Sequence, residues 1–217
     1  MTQKCTLLLG GSFDPVHTGH VELGQHFCRL FDTNILRLIP TGNPWQKSPL
    51  SASANHRVAM LKCAFSHLGL TVSIDCQEIQ RSGATYSYDT LVNIRNELGK
   101  STPLIFLIGA DQLHRLHTWY KWQKLFDLTH FAISTRAGFP KPLENLSPEV
   151  ANIILPRIAT AQELMTAPAG KILIDDFLQL DISATEIRNA FKQNKTPPSL
   201  IPSAVIDYIY KHNLYRN

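Results

Sequence analysis

Strand-like and helix-like segments alternate along nearly the whole chain, and no other feature narrows the possible folds as far. Residues 4–9 form an apolar run ended by Gly10 and Gly11, the pattern of a buried strand. Residues 20–31 place Leu23, Phe27, Leu30 and Phe31 at helical spacing. Residues 34–39 predict a second strand, and residues 40–49, with Pro40, Pro44 and Pro49, predict a loop. Ser53 is placed to cap a helix running to about residue 65, with Val58, Leu61 and Ala64 on one face. Residues 71–76 alternate and are β-branched, residues 89–98 read as a helix ended by Gly99, and residues 103–108 are apolar enough for the most central strand. Residues 110–126 read as two short helices, 131–134 and 171–177 as strands, and 185–192 and 203–212 as closing helices. Between residues 137 and 168 only a helix near 148–155 is legible.

Such an order implies right-handed crossovers and an α/β fold, a doubly wound parallel sheet with helices on both faces. Ligands of these sheets bind beyond the carboxyl ends of the strands, so the loops expected to matter are residues 10–20, 40–50, 78–87 and 109–120. No repeat, low-complexity stretch or shift of composition divides the chain, and residues 1–217 are expected to form one domain with the helices from about residue 183 as an integral part. Hydrophobic residues make up 44% and charged residues 18%, which excludes a disordered chain and a coiled coil. The longest apolar runs, such as residues 104–108, are far shorter than a bilayer requires, and the N-terminus lacks a secretory h-region. Cys5, Cys28, Cys63 and Cys76 are scattered without a C-x-x-C pair, which predicts free thiols and a cytoplasmic location. A net charge of +4 is too mild to predict a nucleic-acid partner; it would suit an anionic small substrate, but ordinary scatter accounts for it better.

Between the first strand and the first helix stands Gly10-Gly11-Ser12-Phe13-Asp14-Pro15-Val16-His17-Thr18-Gly19-His20. The paired glycines allow close backbone approach and unusual dihedrals. His17 and His20, three residues apart, fall on one side of a first helical turn, beside the unpaired N–H groups that make a helix N-terminus an anion site. Gly19 keeps the space between them clear. Two imidazoles and backbone amides suit a phosphoryl group gaining charge in a transition state. The segment is not a G-x-G-x-x-G fingerprint, and a zinc site would need a third ligand or H-E-x-x-H, neither of which is evident. Asp14-Pro15 has a plainer reading beside the functional one, as turn chemistry. Gly99-Lys100-Ser101 resembles the end of a phosphate-binding loop, but Ile94 occupies the required first glycine position and a helix C-cap explains it better. Near the C-terminus, Ser183 is placed to cap a helix with Glu186 closing a capping box, and its hydroxyl, Thr185 and Arg188 are equally placed to hold a polyphosphate.

Together, G-S-F-D-P-x-H-x-G-H after the first strand and I-S-x-T-x-I-R near the C-terminus resemble the paired signature of the nucleotidylyltransferase superfamily. Three blocks between them are similar to bacterial nicotinate-nucleotide adenylyltransferases: residues 108–111 (Ile108-Gly109-Ala110-Asp111) followed by Leu116 and Trp119-Tyr120, residues 82–91, and the Pro-rich loop from Pro40 to Lys47. The resemblance covers essentially the whole chain in order; H-x-G-H alone marks only the superfamily. It implies a Rossmann-like doubly wound sheet of the nucleotidylyltransferase type and transfer of the adenylyl group of ATP to nicotinic acid mononucleotide in NAD biosynthesis. Gly11, Ser12 and Phe13 would line the nucleotide with backbone groups. His17 and His20 would contact the ATP phosphates, and Ser183, Thr185 and Arg188 would hold the triphosphate tail, with His17, His20 and Arg188 as the catalytic set. Gly109 and Asp111 would contact ribose or nearby backbone, Trp119 would stack on the pyridine ring, and amides near Thr85 and Tyr120 would bind its carboxylate. Trp122 is the better core aromatic of the two tryptophans. Mg²⁺ would arrive on the ATP phosphates without a protein metal site, and the partners would be ATP and the mononucleotide, with neither nucleic acid nor membrane and the oligomeric state open. Ala184 stands where the family often has a second serine, and Trp45-Gln46 replaces a common Pro-His, which weakens the assignment of Lys47 to substrate. Arg136, just after a strand, fits a phosphate contact or a surface charge. Other acceptors, namely nicotinamide mononucleotide, phosphopantetheine or a sugar phosphate, keep the chemistry. A non-catalytic nucleotide sensor would not need the two histidines and Arg188.

Overall fold

The computed structural model describes residues 5–42, 50–135, 142–176 and 182–216. Six strands form one sheet: β1 (Thr6–Gly11), β2 (Ile35–Pro40), β3 (Thr71–Ile74), β4 (Leu104–Gly109), β5 (His130–Ser134) and β6 (Ile172–Asp175). Every pairing is parallel and the order is β3-β2-β1-β4-β5-β6. The chain winds outward from β1 to β3, then returns to lay β4 on the other side of β1. That reversal opens a crevice beyond the carboxyl ends of β1 and β4. The expectation that residues 103–108 are the most central strand is refined: β4 and β1 share the centre.

In chain order the helices are α1 (Thr18–Leu30), α2 (Ala54–Phe65), α3 (Gln77–Gln80), α4 (Ser87–Leu98), α5 (Ala110–Arg115), α6 (Pro148–Ile154), α7 (Ala161–Leu164), α8 (Ala184–Lys192) and α9 (Ser203–Lys211). Because strand side chains alternate in direction, the apolar strands feed two cores. Leu7, Leu9, Leu36, Leu38, Ile105 and Leu107 pack against α1, α2, α8 and α9 through residues such as Phe27, Leu61, Ile187 and Val205. Leu8, Ile39, Phe106, Ile108, Phe131 and Ile133 pack against α4, α5 and α6 through Leu91, Ile94, Leu113 and Ile154. Both faces are covered, which is why these strands read as continuous apolar runs.

Local signals behave as expected at several ends. Ser53 caps α2 and accepts a hydrogen bond from the His56 N–H. Gly99 ends α4 at φ 81, a left-handed position that a residue with a side chain would strain to hold. The four cysteines are free; burial pushes the Cys5 and Cys28 thiols up to about 11. Other expectations are corrected. Within 110–126 only α5 is α-helical, followed by 3₁₀ turns at Leu116–Thr118 and Trp122–Asp127. The region after residue 137 holds α6, a 3₁₀ turn at Leu155–Arg157, and α7, which a Thr160–Glu163 capping box opens. A short α3 occupies part of the expected loop 78–87. Among the described residues no helix is long and apolar enough to cross a membrane.

Candidate active site

Beyond β1, the backbone leaves the sheet at Gly11 and turns back into α1 at Thr18. Gly10 and Gly11 do not adopt positive φ, so the expected dihedral freedom is not what selects them. Gly10 is required by space: a Cβ there would lie 2.9 Å from the Phe106 ring. The strained residue is Phe13, buried at φ 49, a conformation costing a bulky side chain on the order of 1–3 kcal/mol. Arg57 of α2, buried to 2% exposure, donates to the Ser12 carbonyl at 2.8 Å and braces the turn from behind. Burial lowers the Arg57 guanidinium from its usual pKa, and the nearby Asp14 charge partly restores it.

His17 is the N-cap residue of α1 and His20 its third helical residue. Their rings lie 3.7 Å apart, centroid to centroid, so the spacing of three brings them together as expected. The His17 backbone N–H donates to His20 Nδ1 at 3.2 Å. With Nδ1 accepting, a neutral His20 carries its proton on Nε2. A Cβ at Gly19 would sit 3.2 Å from His17 Nδ1, so this glycine makes room for the imidazole itself.

Across the crevice, Ser183 occupies the N-cap position of α8, but its side chain makes no capping bond and Glu186 closes no capping box. The capping expectation is therefore wrong in detail: at φ −111 and ψ 121 the residue directs the chain into the helix without its hydroxyl serving the helix end. Arg188, one turn in, donates to the Asp14 carbonyl at 2.6 Å and to Thr185 Oγ1 at 3.2 Å. A guanidinium has five N–H donors, so these two bonds orient the fork without exhausting it.

At the other end of the crevice, Asp111 folds back over Gly109, where a Cβ would lie 2.6 Å from its Oδ1, and Gln112 Nε2 donates to Asp111 Oδ2 at 2.6 Å. Trp119 meets Phe106 edge to face at 6.3 Å, and contact between Tyr86 and Tyr120, with ring centroids 4.7 Å apart, joins the buried Thr85 loop to the Trp119–Tyr120 segment. Glu78 closes the floor. It is buried, accepts from Thr90 Oγ1 at 2.9 Å, and burial raises its carboxyl above the ordinary range.

These pieces surround one cavity of about 830 Å³. Gly11, Ser12, Phe13, His17, His20, Thr85, Gly109, Asp111, Trp119, Tyr120, Ser183, Thr185 and Arg188 all line it. Trp119 and Trp122 both pack on the second core, and of the two only Trp119 reaches the cavity wall. Lys47 and Arg136 lie outside the described residues. Sequence reasoning missed Arg57, Glu78 and Tyr215, whose hydroxyl donates to Asp14 at 2.7 Å. A buried arginine one turn into a predicted helix is a signal, but only its partner 45 residues away reveals its purpose.

A family model described as cytidylyltransferase-like matches residues 8–190. A protein of Herminiimonas arsenicoxydans named "probable nicotinate-nucleotide adenylyltransferase" is 47% identical over 214 residues, covering 99% of this chain and 98% of that protein. Its namesakes in Laribacter hongkongensis and Yersinia enterocolitica are 40% and 34% identical, over 97% and 99% of this chain and 94% and 97% of theirs. Among solved structures, the Plasmodium falciparum nicotinic acid mononucleotide adenylyltransferase complexed with NaAD aligns with a TM-score of 0.74 over 98% of this chain and 97% of that one, at 21% identity, a likeness of fold. By its full-length relatives and its matching family model, the chain belongs to the cytidylyltransferase-like family and, within it, to the nicotinate-nucleotide adenylyltransferases.

Proposed function

We propose that this chain transfers the adenylyl group of ATP to nicotinic acid mononucleotide, forming nicotinic acid adenine dinucleotide and pyrophosphate in NAD biosynthesis. The observation that carries the reading is convergence. The paired imidazoles of α1, the N-terminus of α8 with Arg188, and the aromatic wall at Trp119 and Tyr120 line one cavity beyond β1 and β4. The first two suit phosphates and the third suits a flat ring. The solved neighbour of this fold was captured with NaAD, the product this reaction forms.

The nucleophile is a phosphate oxygen of the mononucleotide, already ionised near neutral pH, so the step requires no general base. A bond forms from that oxygen to the α-phosphorus of ATP, the bond to the β-phosphate bridging oxygen breaks, and pyrophosphate leaves with the charge. The protein's task is alignment and charge stabilisation. In this reading His20 donates from Nε2, with His17 beside it, to oxygens around the reacting phosphorus. Arg188, Thr185, Ser183 and the amides of α8 hold the departing pyrophosphate, and Gly11, Ser12 and Phe13 line the nucleotide. Gly109 and Asp111 take the ribose, Trp119 stacks on the pyridine, and amides at Thr85 and Tyr120 receive its carboxylate. Lys47 and Arg136 keep their assignment to substrate phosphates from the sequence alone.

Among the described residues no group of three His, Cys, Asp or Glu side chains is arranged to hold a metal ion. The donors lining the cavity are mainly hydroxyls, imidazoles and a guanidinium, a set that fits Mg²⁺ arriving on ATP phosphate oxygens. When bound, Mg²⁺ neutralises phosphate charge and so eases the approach of two anions. Because the phosphate-holding groups come from both ends of the sequence, residues 1–217 act in this reading as one domain, on small molecules in the cytoplasm. The test is pyrophosphate release from ATP and Mg²⁺ with each acceptor in turn. Fast release with the nicotinate nucleotide and slow release with the amide is the expected result; release only with phosphopantetheine or a sugar phosphate, or with no acceptor, would overturn it.

A further inference from the structure

We propose that Tyr215, two residues from the C-terminus, is a positioning residue for adenylyl transfer, acting through Asp14 on the histidine-bearing turn and on Arg188; this rests on the transfer reading above. Asp14 is only 3% exposed. Its Oδ2 accepts from the Ser51 N–H at 2.7 Å, and its Oδ1 accepts from the Ala52 N–H at 3.0 Å and the Tyr215 hydroxyl at 2.7 Å. Its own carbonyl accepts from Arg188 Nη1 at 2.6 Å. One residue therefore ties the chain just before α2, the C-terminal tail and α8 to the turn between Ser12 and His17. Turn chemistry within residues 14–15 accounts for none of these four bonds.

Each partner bears on the site. Phe13, next to Asp14, holds a left-handed conformation that bulky side chains avoid, so the turn depends on anchors outside itself. The Tyr215 ring also tilts against Phe191 of α8 at 6.4 Å, so the side chain that fixes Asp14 also packs on the helix carrying Arg188. Burial, and then the Asp14 charge, push the Tyr215 phenol above its ordinary range, which keeps it a donor wherever the enzyme works. The carboxylate serves as a receptacle for three donors of the fold. A carboxylate buried beside a site for two anions is an electrostatic burden. It persists here because it sets the distance between His17, His20 and Arg188.

Tyr215→Phe removes only the hydroxyl and keeps the ring on Phe191. Its kcat per folded molecule is expected to fall roughly 10-fold, because the turn and Arg188 then present their groups less precisely. KM for the nicotinate nucleotide, which is bound at the opposite end, should stay close to wild type, and the thermal midpoint should fall modestly, as losing one buried hydrogen bond requires. Phe191→Leu is the packing control: it loosens the same tail and helix without touching the hydroxyl. It should lower the midpoint while leaving kcat per folded molecule near wild type. Wild-type kcat in Tyr215→Phe, or a kcat that merely follows the folded fraction in both variants, would overturn the proposal. A wild-type protein that transfers to no acceptor would overturn the functional reading and this inference with it, whereas an active wild type with an unaffected Tyr215→Phe would overturn only the inference.

Discussion

At the amino ends of β4, β5 and β6 the chain consumes its own buried donors, whereas at the carboxyl ends of β1 and β4 it holds them from behind and turns them to a cavity. Arg95, at the end of α4, donates to the carbonyls of Leu128, Gly99, Thr102 and Pro168, which lie on the segments leading into the strands or ending α4. His130, the first residue of β5, donates from Nε2 to the Ala167 carbonyl at 2.8 Å and accepts the Lys171 N–H on Nδ1 at 3.0 Å. Both side chains lock loops together. At the opposite end, Arg188 makes two bonds among the described residues that orient it, and His20 accepts a backbone N–H while its ring lines the crevice. In the proposed function the same residue types serve cohesion at one end and ligand recognition at the other. For the two arginines, what separates the roles is how many donors the described fold uses.

That contrast makes unequal predictions. Arg95→Ala removes a buried guanidinium that ties four carbonyls together; water can reach part of what it leaves behind, so the loss of stability should be about 2–4 kcal/mol. Denaturant midpoints would show it, and kcat per folded molecule should not change; a stable but inactive variant would break the comparison. Trp119→Ala, at the carboxyl end, should do the reverse. In the proposed role its stack on the pyridine would form equally in ground and transition states, so KM for the mononucleotide should rise roughly 10-fold with kcat nearly unchanged. A fall in kcat alone would move Trp119 out of that role.

The smallest effect concerns pH. Burial, with help from the Lys171 and Arg95 charges, lowers the pKa of His130. The folded state prefers the neutral ring, because protonating Nδ1 would set two N–H groups against each other. The unfolded chain then binds the extra proton first. Stability contributed by His130 is full above its ordinary value of about 6.5 and is lost as pH falls from there to the depressed value, by at most about 1.4 kcal/mol per pH unit. Urea midpoints between pH 7.5 and 5, compared with those of His130→Gln, should carry this slope in the wild type alone. An equal slope in both would remove His130 as its cause.

How far these features can be read from the sequence depends on how local they are. The strands were legible because each is a short apolar run between turn residues, and the sheet followed from their alternation with helices. His17 and His20 were legible because the pair lies within one helical turn, and Ser183 with Arg188 because both fall within the first turn and a half at the start of one helix. Arg95 was not, since its four carbonyls come from three stretches of chain up to 73 residues away. Tyr215 was not, since its partner is 201 residues distant. The T-x-x-E at Thr160–Glu163 was local but carried no periodicity to draw attention to it. Gly10 is singled out in the sequence for backbone freedom, yet it is required because the Phe106 ring occupies the space a Cβ would need; Gly19 is read there as clearing space, and the space it clears is taken by the His17 ring.

In the proposed function the imidazole pair at the start of α1 works in the transition state and contributes little to holding the fold. Turnover and denaturant midpoint of His20→Ala and His17→Ala, measured on the same preparations with ATP, Mg²⁺ and nicotinic acid mononucleotide, test it most directly. A kcat lower by roughly 10² or more with midpoints near wild type is the expected result. Near wild-type turnover, or a loss of turnover that only mirrors a loss of folded protein, would contradict it.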